Sequence, residues 1–224
     1  MNSEIVSYYD KLASTYDENR FANSYGKFID KQENLFLSKL IKKNNFKNVL
    51  DLGCGTGRLL HFANFGVDPS ENMISVSKEK FPEKIILKGS VTEIPFENET
   101  FNLIFSFHVL MHLDKQTTSN FLNESFDKLM SNGKLVFDFP SKKRRKLLNF
   151  KSKNWHGAND FSIEELKIMS SKKYKIISTN GILFLPIQRF PKFSRAFFTK
   201  IDSFFCNSFL KQYSSYIIIE LQKK

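Results

Sequence analysis

Cysteine is scarce in this sequence, which has only Cys54 and Cys206 among its 224 residues. The two cysteines lie far apart and match neither the Cys-x-x-Cys spacing of zinc and redox sites nor a disulfide framework. We therefore expect no metal-ligand set and a chain that works in the reducing cytoplasm.

Long apolar runs are also missing. The sequence contains no stretch of about 18 uncharged apolar residues, the length that a membrane-spanning helix requires. Its first residues lack the basic segment and apolar stretch of a secretion signal. The sequence thus predicts neither a membrane span nor export.

Acidic residues are outnumbered, 23 against 34 Lys and Arg, which gives a formal net charge of +11. Such an excess suggests an anionic partner: nucleic acid, an acidic lipid surface or a phosphorylated substrate. Alternatively the excess is spread over a solvated surface. Hydrophobic residues make up 41% of the chain, including 25 Phe, so the composition is that of a globular protein.

Short apolar runs alternate with helical patterns along the chain. Two or three helices are predicted between residues 5 and 41. The predicted strands cover 48–52, 65–68, 85–87, 101–107, 134–139, 174–179 and 216–221, and the later helices cover 57–63, 72–80, 119–130 and 162–170. A turn is predicted at 131–133. Strands separated by helices imply βαβ units, so we expect a doubly wound α/β fold.

The first predicted strand runs directly into Gly53-x-Gly55-x-Gly57. Glycines at this point let a ligand approach the backbone closely. The spacing differs from the Gly-x-Gly-x-x-Gly of dinucleotide folds and from a P-loop. Asp51 in the first strand and Asp68 at the end of the second add to the pattern, because an acid there can accept both hydroxyls of a ribose.

Four segments in this order, 49–57, 66–73, 89–96 and 101–113, resemble the motifs of the class I (Rossmann-like) S-adenosylmethionine-dependent methyltransferases. The resemblance implies a mostly parallel sheet of about seven strands with helices on both faces. It also implies one domain, with an N-terminal helical lid (1–44), a cofactor-binding core (45–140), and a substrate-side cap with terminal strands (141–224).

The resemblance further implies S-adenosylmethionine as cofactor. The residues expected to bind it are Tyr16, Arg20, Asp51, Gly53, Cys54, Gly55, Asp68, Pro69, Met73, Ser90, Val91 and Phe107. Ser90 stands where the family commonly has an acid that contacts the adenine amino group. That contact then falls to the Ser90 hydroxyl, to water or to the backbone.

Methyl transfer from a sulfonium is a one-step displacement, so the protein mainly aligns the reactants and excludes water. A hydroxyl acceptor would also need a general base, most often histidine. His108 and His112 follow the fourth strand and are the first candidates, and His156 beside Trp155 is the third. For each of them structural packing or an ordinary surface position is the alternative.

The acceptor is predicted less closely. The stretch 186–212 combines seven Phe with several Arg and Lys, which suits a substrate cap, a surface lying on anionic lipid, or helices packed on the sheet. We expect transfer to oxygen or nitrogen of a small acceptor, sugar-linked, phosphorylated or lipid-linked, from surface-glycan or natural-product biosynthesis. The alternatives are a quinone-ring C/O-methyltransferase and a non-catalytic S-adenosylmethionine-binding protein.

Nucleic acid is not favoured as the acceptor. The Asn/Asp-Pro-Pro-Tyr/Phe motif of many nucleic-acid methyltransferases is replaced by Ser106-Phe107-His108-Val109 after the fourth strand. The expected location is cytoplasmic, with peripheral contact at the inner membrane face left open, as is the oligomeric state.

Overall fold

The computed structural model describes residues 3–152 and 157–224. Three helices open the chain, within the segment predicted as the lid: α1 (Ser3–Leu12), α2 (Tyr16–Phe21) and α3 (Ser24–Asn44). Asn23 caps α3 by accepting hydrogen bonds from the amides of Tyr25 and Gly26. α3 ends at Asn45, whose left-handed conformation is typical of the residue that follows a helix.

A seven-stranded sheet forms the centre of the molecule. Its strands and intervening helices are β1 (Val49–Leu52), β2 (Phe65–Asp68), α4 (Glu71–Lys80), β3 (Ile85–Lys88), β4 (Phe101–Ser106), α5 (Lys115–Lys128), β5 (Leu129–Pro140), α6 (Lys142–Leu147), α7 (Ile163–Ser170), β6 (Tyr174–Ile182), α8 (Arg195–Asn207) and β7 (Tyr216–Lys223). The strand order is β3-β2-β1-β4-β5-β7-β6. β7 runs antiparallel to both of its neighbours, and the other pairings are parallel.

This topology confirms the predicted Rossmann-like fold. The carboxyl ends of β1, β2, β4 and β5 meet at one edge of the sheet, and the strand order reverses at β1 and β4. Ligands bind at this position in open α/β sheets. Ser70 caps α4, since its hydroxyl accepts a hydrogen bond from the amide of Met73.

Two local predictions were wrong. The segment 57–63 forms turns and a short 3₁₀ helix, Leu60–Phe62, instead of an α-helix, because too few residues separate β1 from β2 for a full helical crossover after the glycine loop. The segment 131–133 lies inside β5. There Asn132 has a φ of +62°, and the register with β4 shifts between Phe101 and Leu103.

Phenylalanine fills much of the core but also reaches the surface. Phe101, Phe121, Phe137, Phe139 and Phe161 are fully buried on one face of the sheet. In the cap, Phe184 stacks on Phe205 and Phe190 on Phe198, while Phe193, Phe197, Phe204 and Phe209 are 64 to 90% exposed. Within the described part of the chain, no helix is both long and apolar enough to cross a membrane.

Candidate active site

The glycine loop leaves β1 in a conformation that other residues rarely adopt. Gly53 has a φ of +82° and Gly55 one of +53°. A Cβ at Gly53 would lie 2.5 Å from Cγ2 of Val109, whereas a Cβ at Gly55 would meet nothing within 4 Å. Gly53 therefore permits close packing of the loop, and Gly55 leaves room for a ligand against the backbone.

Asp68 lies at the end of β2, opposite this loop. Its Oδ2 accepts a hydrogen bond from the Gly55 amide and its Oδ1 one from the Ser70 amide, both at 2.9 Å. Burial raises the pKa of Asp68 to about 6, although these two hydrogen bonds favour the charged form. Each oxygen retains a second lone pair, so the carboxylate can still accept two hydroxyl donors.

A pocket of about 620 Å³, here called the cofactor pocket, lies between the glycine loop, Asp68 and the segment after β4. It brings together nine of the predicted cofactor residues: Tyr16, Gly53, Gly55, Asp68, Pro69, Met73, Ser90, Val91 and Phe107. His108 and His112 line the same pocket. Residues from the lid, three strand ends and the loop at Ser90 thus surround one space.

Asp51 and Cys54 line an adjoining recess of about 370 Å³, together with Arg58. Burial raises the pKa of Asp51 to about 8; Arg58 opposes this rise, and Asp68 and Glu33 add to it. The recess shares Gly53, Gly55, Tyr16, Phe107 and His108 with the cofactor pocket.

A third pocket, of about 480 Å³, is named the acceptor pocket for the role that we propose for it. Its wall is largely aromatic: Tyr9, Tyr16, Phe21, Tyr25 and Tyr216, with Arg20, Ile29, His108 and Met111 between them. It shares Tyr9, Tyr16 and His108 with the cofactor pocket. Arg20, predicted to contact the cofactor, lies in this pocket instead, and its guanidinium donates to the Tyr8 hydroxyl at 3.2 Å.

His108 has a φ of +60° and is held by two carboxylates. Its amide donates to Asp138 Oδ1 at 2.6 Å, its Nδ1 lies 3.5 Å from Asp138 Oδ2, and its Nε2 lies 2.8 Å from Glu33 Oε1. Burial alone would lower the pKa of His108, but Glu33 and Asp138 outweigh burial and raise it.

His112 meets a lid residue. Its Nε2 lies 2.9 Å from the Tyr9 hydroxyl, and the two rings pack edge to face. The third predicted histidine, His156, lies outside the described residues. The structure therefore places His108 where the cofactor and acceptor pockets meet, and His112 in the cofactor pocket beside Tyr9.

The lid is tied to the core through its acids. Arg58 pairs with Asp30 at 2.7 Å and with the fully buried Glu33 at 2.6 Å. Asp17 accepts from the Thr56 hydroxyl at 2.6 Å, and Asp10 from the Ser70 hydroxyl at 2.5 Å. All these bonds end on the loops that border the cofactor pocket.

Sequence reasoning missed Tyr9, Glu33, Arg58 and Asp138 as site residues. Tyr9 belongs to the lid segment that resembles the family, so a signal for it existed. Glu33 and Asp138 gave none, because they resemble ordinary helix and strand residues until the fold brings them to His108.

Comparisons with known proteins agree with this geometry. Residues 50–137 match the family model described as a methyltransferase domain. An uncharacterized methyltransferase of Anoxybacillus flavithermus is 30% identical over 145 residues, covering 61% of this chain and 68% of that protein. A ubiquinone/menaquinone biosynthesis C-methyltransferase of Campylobacter jejuni is 26% identical over 121 residues, covering 45% of this chain and 49% of that protein.

Among solved structures, a magnesium protoporphyrin IX methyltransferase from Synechocystis with bound S-adenosylhomocysteine superposes with a TM-score of 0.65. The two chains are 16% identical, and the match covers 100% of each. The chain spans 49% of the length of the Campylobacter jejuni relative and 39% of an uncharacterized protein of Methanocaldococcus jannaschii that it also matches. The sequence matches and the structural match point to the same family. The chain belongs to the class I, Rossmann-like S-adenosylmethionine-dependent methyltransferases, and it is an enzyme that uses S-adenosylmethionine as its methyl donor.

Proposed function

We propose that the enzyme transfers the methyl group to an oxygen or nitrogen of a small molecule held in the acceptor pocket. The observation that carries this proposal is the wall shared by the two pockets, formed by Tyr9, Tyr16 and His108. Because these three residues line both pockets, a donor in one pocket and an acceptor in the other would meet beside them. Holding both reactants in line supplies much of the acceleration that a displacement needs.

We assign the cofactor roles by the pockets that the residues line. Asp68 would accept both ribose hydroxyls, and Ser90 and Val91 would hold the adenine. The glycine loop and Asp51 would hold the methionyl part. Tyr16, from the N-terminal helices, would cover the donor and exclude water.

We assign proton removal to His112 acting through Tyr9. Tyr9 lines the acceptor pocket, and its hydroxyl lies 2.9 Å from His112 Nε2. An acceptor hydroxyl that attacked the methyl carbon would displace the sulfur as neutral S-adenosylhomocysteine; its proton would pass to the Tyr9 oxygen while the Tyr9 proton passed to His112. Both ring nitrogens of His108 lie near carboxylates, which suits a positioning role better than direct proton transfer. A role for His156 stays a prediction.

The acceptor class we propose is a sugar-linked, phosphorylated or lipid-linked metabolite met at the inner membrane face. Support comes from the basic aromatic face, formed by Phe193, Phe197, Phe204 and Phe209 with the exposed cations Arg189, Lys192 and Lys200. Asp202, the sole acid between residues 186 and 212, is buried and accepts from the Leu185 amide. Exposed aromatics beside unopposed cations match an anionic lipid surface.

A second candidate is methylation of a quinone-type ring on carbon or oxygen. The aromatic wall of the acceptor pocket favours it, because flat rings pack well against aromatic side chains. The Campylobacter jejuni relative, a ubiquinone/menaquinone biosynthesis C-methyltransferase, is compatible with it.

Cofactor binding and methyl transfer can be tested together. Calorimetry should show binding of S-adenosylmethionine and S-adenosylhomocysteine, lost in Asp68→Ala. Labelled S-adenosylmethionine, supplied with panels of phenols, quinols, sugar phosphates and lipid-linked sugars, should mark members of one panel only. Product binding without transfer to any panel member would instead favour the non-catalytic alternative, and a wild type that binds no cofactor would reject both.

Membrane contact has its own test. The full chain should float with vesicles that contain anionic lipid and stay behind with neutral ones. Replacing Phe193, Phe197 and Phe204 with Ser should abolish flotation. Ile168→Ser, which alters an equally exposed apolar residue on α7, is the matched control. Equal flotation of the triple variant and the control would exclude this face as the contact.

A further inference from the structure

Three donor atoms from distant parts of the sequence converge beside the acceptor pocket. They are Oε1 of Glu33 on α3, Nε2 of His108 after β4, and Oδ2 of Asp138 on β5. The donor groups of these residues lie within 4.8 Å of one another. All three atoms are buried and none of them makes a well-aligned hydrogen bond, although Nε2 and Oε1 are close together. Buried polar atoms without aligned partners are costly, and a further bound group would relieve that cost.

Each carboxylate is anchored through its other oxygen. Oε2 of Glu33 accepts from Arg58 at 2.6 Å, and Oδ1 of Asp138 accepts from the His108 amide at 2.6 Å. The remaining oxygen of each group is therefore fixed beside the imidazole. Metal ligands are typically oriented by an outer layer of hydrogen bonds of this kind.

The contact between His108 and Glu33 fits a shared cation. Nε2 and Oε1 are 2.8 Å apart, yet the ring nitrogen does not point along a hydrogen bond to that oxygen. Neighbouring ligands in a coordination shell approach to roughly 3 Å, because each lies about 2.0–2.2 Å from the ion and points at the ion instead of at its neighbour.

We propose that Glu33, His108 and Asp138 form a binding site for a divalent cation of the zinc or manganese type. One imidazole nitrogen and two carboxylate oxygens suit borderline and hard divalent ions. Three protein ligands leave coordination positions for a further oxygen, and His108 lines the acceptor pocket.

The site suggests a role for the ion, and this role rests on the proposed function. An ion bound there would coordinate the acceptor oxygen and favour loss of its proton. It would thereby select acceptors with a coordinating hydroxyl. The existence of the site does not depend on that role, because it can be measured by metal binding alone.

The test uses the full chain, stripped with a chelator and titrated calorimetrically with zinc, manganese and magnesium chloride. We expect one zinc ion per wild-type chain. Glu33→Gln and Asp138→Asn should each bind zinc at least roughly tenfold more weakly, the loss typical when a residue that supports a metal ligand is removed. At His108 we choose Asn as the replacement, because Asn tolerates the positive φ of this position and so disturbs the backbone least. Glu164→Gln, at an exposed carboxylate on α7, should bind zinc like the wild type.

S-adenosylmethionine binding, measured on the same samples, separates the two proposals. Variants that bind the cofactor normally but not zinc support the site. A wild type that binds the cofactor but no zinc overturns it, as does zinc that binds equally to all the variants. A wild type that binds zinc but no cofactor would keep the site and reject the proposed function. Anomalous diffraction at the zinc edge must place the ion among the three side chains.

Discussion

At the scale of single residues, Asp68 makes cofactor affinity depend on pH. Its pKa in the free protein is raised to about 6 by burial. Two ribose hydroxyls can both donate only to the ionised carboxylate, so binding requires loss of this proton. Affinity should therefore be constant well above pH 6 and fall by about tenfold per pH unit well below it.

Calorimetry between about pH 5 and 8 checks this dependence. Asp68→Asn should bind about 2 kcal/mol more weakly at neutral pH, the cost of a lost charge-assisted hydrogen bond, and its affinity should no longer change through this window. If wild type and variant show the same slope, another group controls the pH dependence.

Two glycines of the loop should respond differently to a methyl group. In Gly53→Ala the new Cβ meets Val109 at 2.5 Å in a backbone with φ of +82°, so stability should fall by about 2–4 kcal/mol. In Gly55→Ala the Cβ meets nothing within 4 Å, and only the strain of positive φ remains, about 1 kcal/mol. Urea unfolding separates the two variants.

The two variants should rank in the opposite order for cofactor binding. Gly55→Ala should lose more cofactor affinity than Gly53→Ala, although it should lose less stability. Gly55→Ala directs its methyl into the cofactor pocket and should weaken binding while leaving the fold largely intact. Equal losses of stability in the two variants would show that the loop relaxes to accept the Gly53 side chain.

The Tyr9 and His112 pair should behave as one catalytic unit. Tyr9→Phe and His112→Ala should each lower kcat by roughly 10²-fold, the usual contribution of general base catalysis. The double variant should be scarcely slower than either single one, because the route is already broken. Cofactor affinity should stay unchanged, and Tyr213→Phe, outside the described pockets, should keep full activity. If the kcat losses of the two single variants multiplied in the double variant, Tyr9 and His112 would have independent roles.

At the scale of elements, Arg58 joins lid helix α3 to the glycine loop. Arg58→Gln would remove the guanidinium that pairs with the buried Glu33 and leave the carboxylate with His108 as its charged neighbour. The free energy of unfolding should fall by about 3–5 kcal/mol, as when one member of a buried ion pair is removed. Lys88→Gln breaks the exposed pair with Glu71 and should cost less than about 1 kcal/mol. Similar losses in both variants would mean that the Arg58 contacts are solvated.

Elements whose signals are local were predictable from the sequence. The run from β1 through Gly53 to Asp68 holds its strand, turn and acid within a few residues, and each restricts the backbone directly. The helix predicted at 57–63 failed because its apolar spacing took no account of how short the crossover is. Helix α6, which Ser141 caps, was not among the predicted helices.

The charge cluster at His108 could not be predicted in the same way. Glu33 comes from the lid and Asp138 from β5, and only the strand order brings them to the loop after β4. No spacing in the sequence encodes that meeting. The same holds for the acceptor pocket, whose wall combines α1, α2 and α3 with the start of β7.

At the scale of the whole molecule, the net charge of +11 is unevenly placed. Several acids of the lid are used in contacts with the core, as shown by Asp10, Asp17 and Glu33. The cations of the basic aromatic face stay exposed. The excess charge therefore belongs largely to the surface and strengthens the case for an anionic partner on the cap side.

These contacts between lid and core predict cooperative unfolding. Asp10, Asp17, Asp30 and Glu33 all bind loops that border the cofactor pocket, so the lid should not melt separately. Calorimetry should show one transition, with S-adenosylhomocysteine at 100 times its Kd adding about 2.7 kcal/mol of stability. For a chain of this size that corresponds to roughly 5–10 °C in Tm.

Hydrogen exchange locates the effect along the chain. Ligand should slow exchange in α3 and in β1 by the same factor, because one closed state protects both. In Arg58→Gln the protection of α3 should fall while that of β1 persists. A wild-type lid that exchanges freely in the presence of ligand would show instead that the lid opens independently of the occupied core.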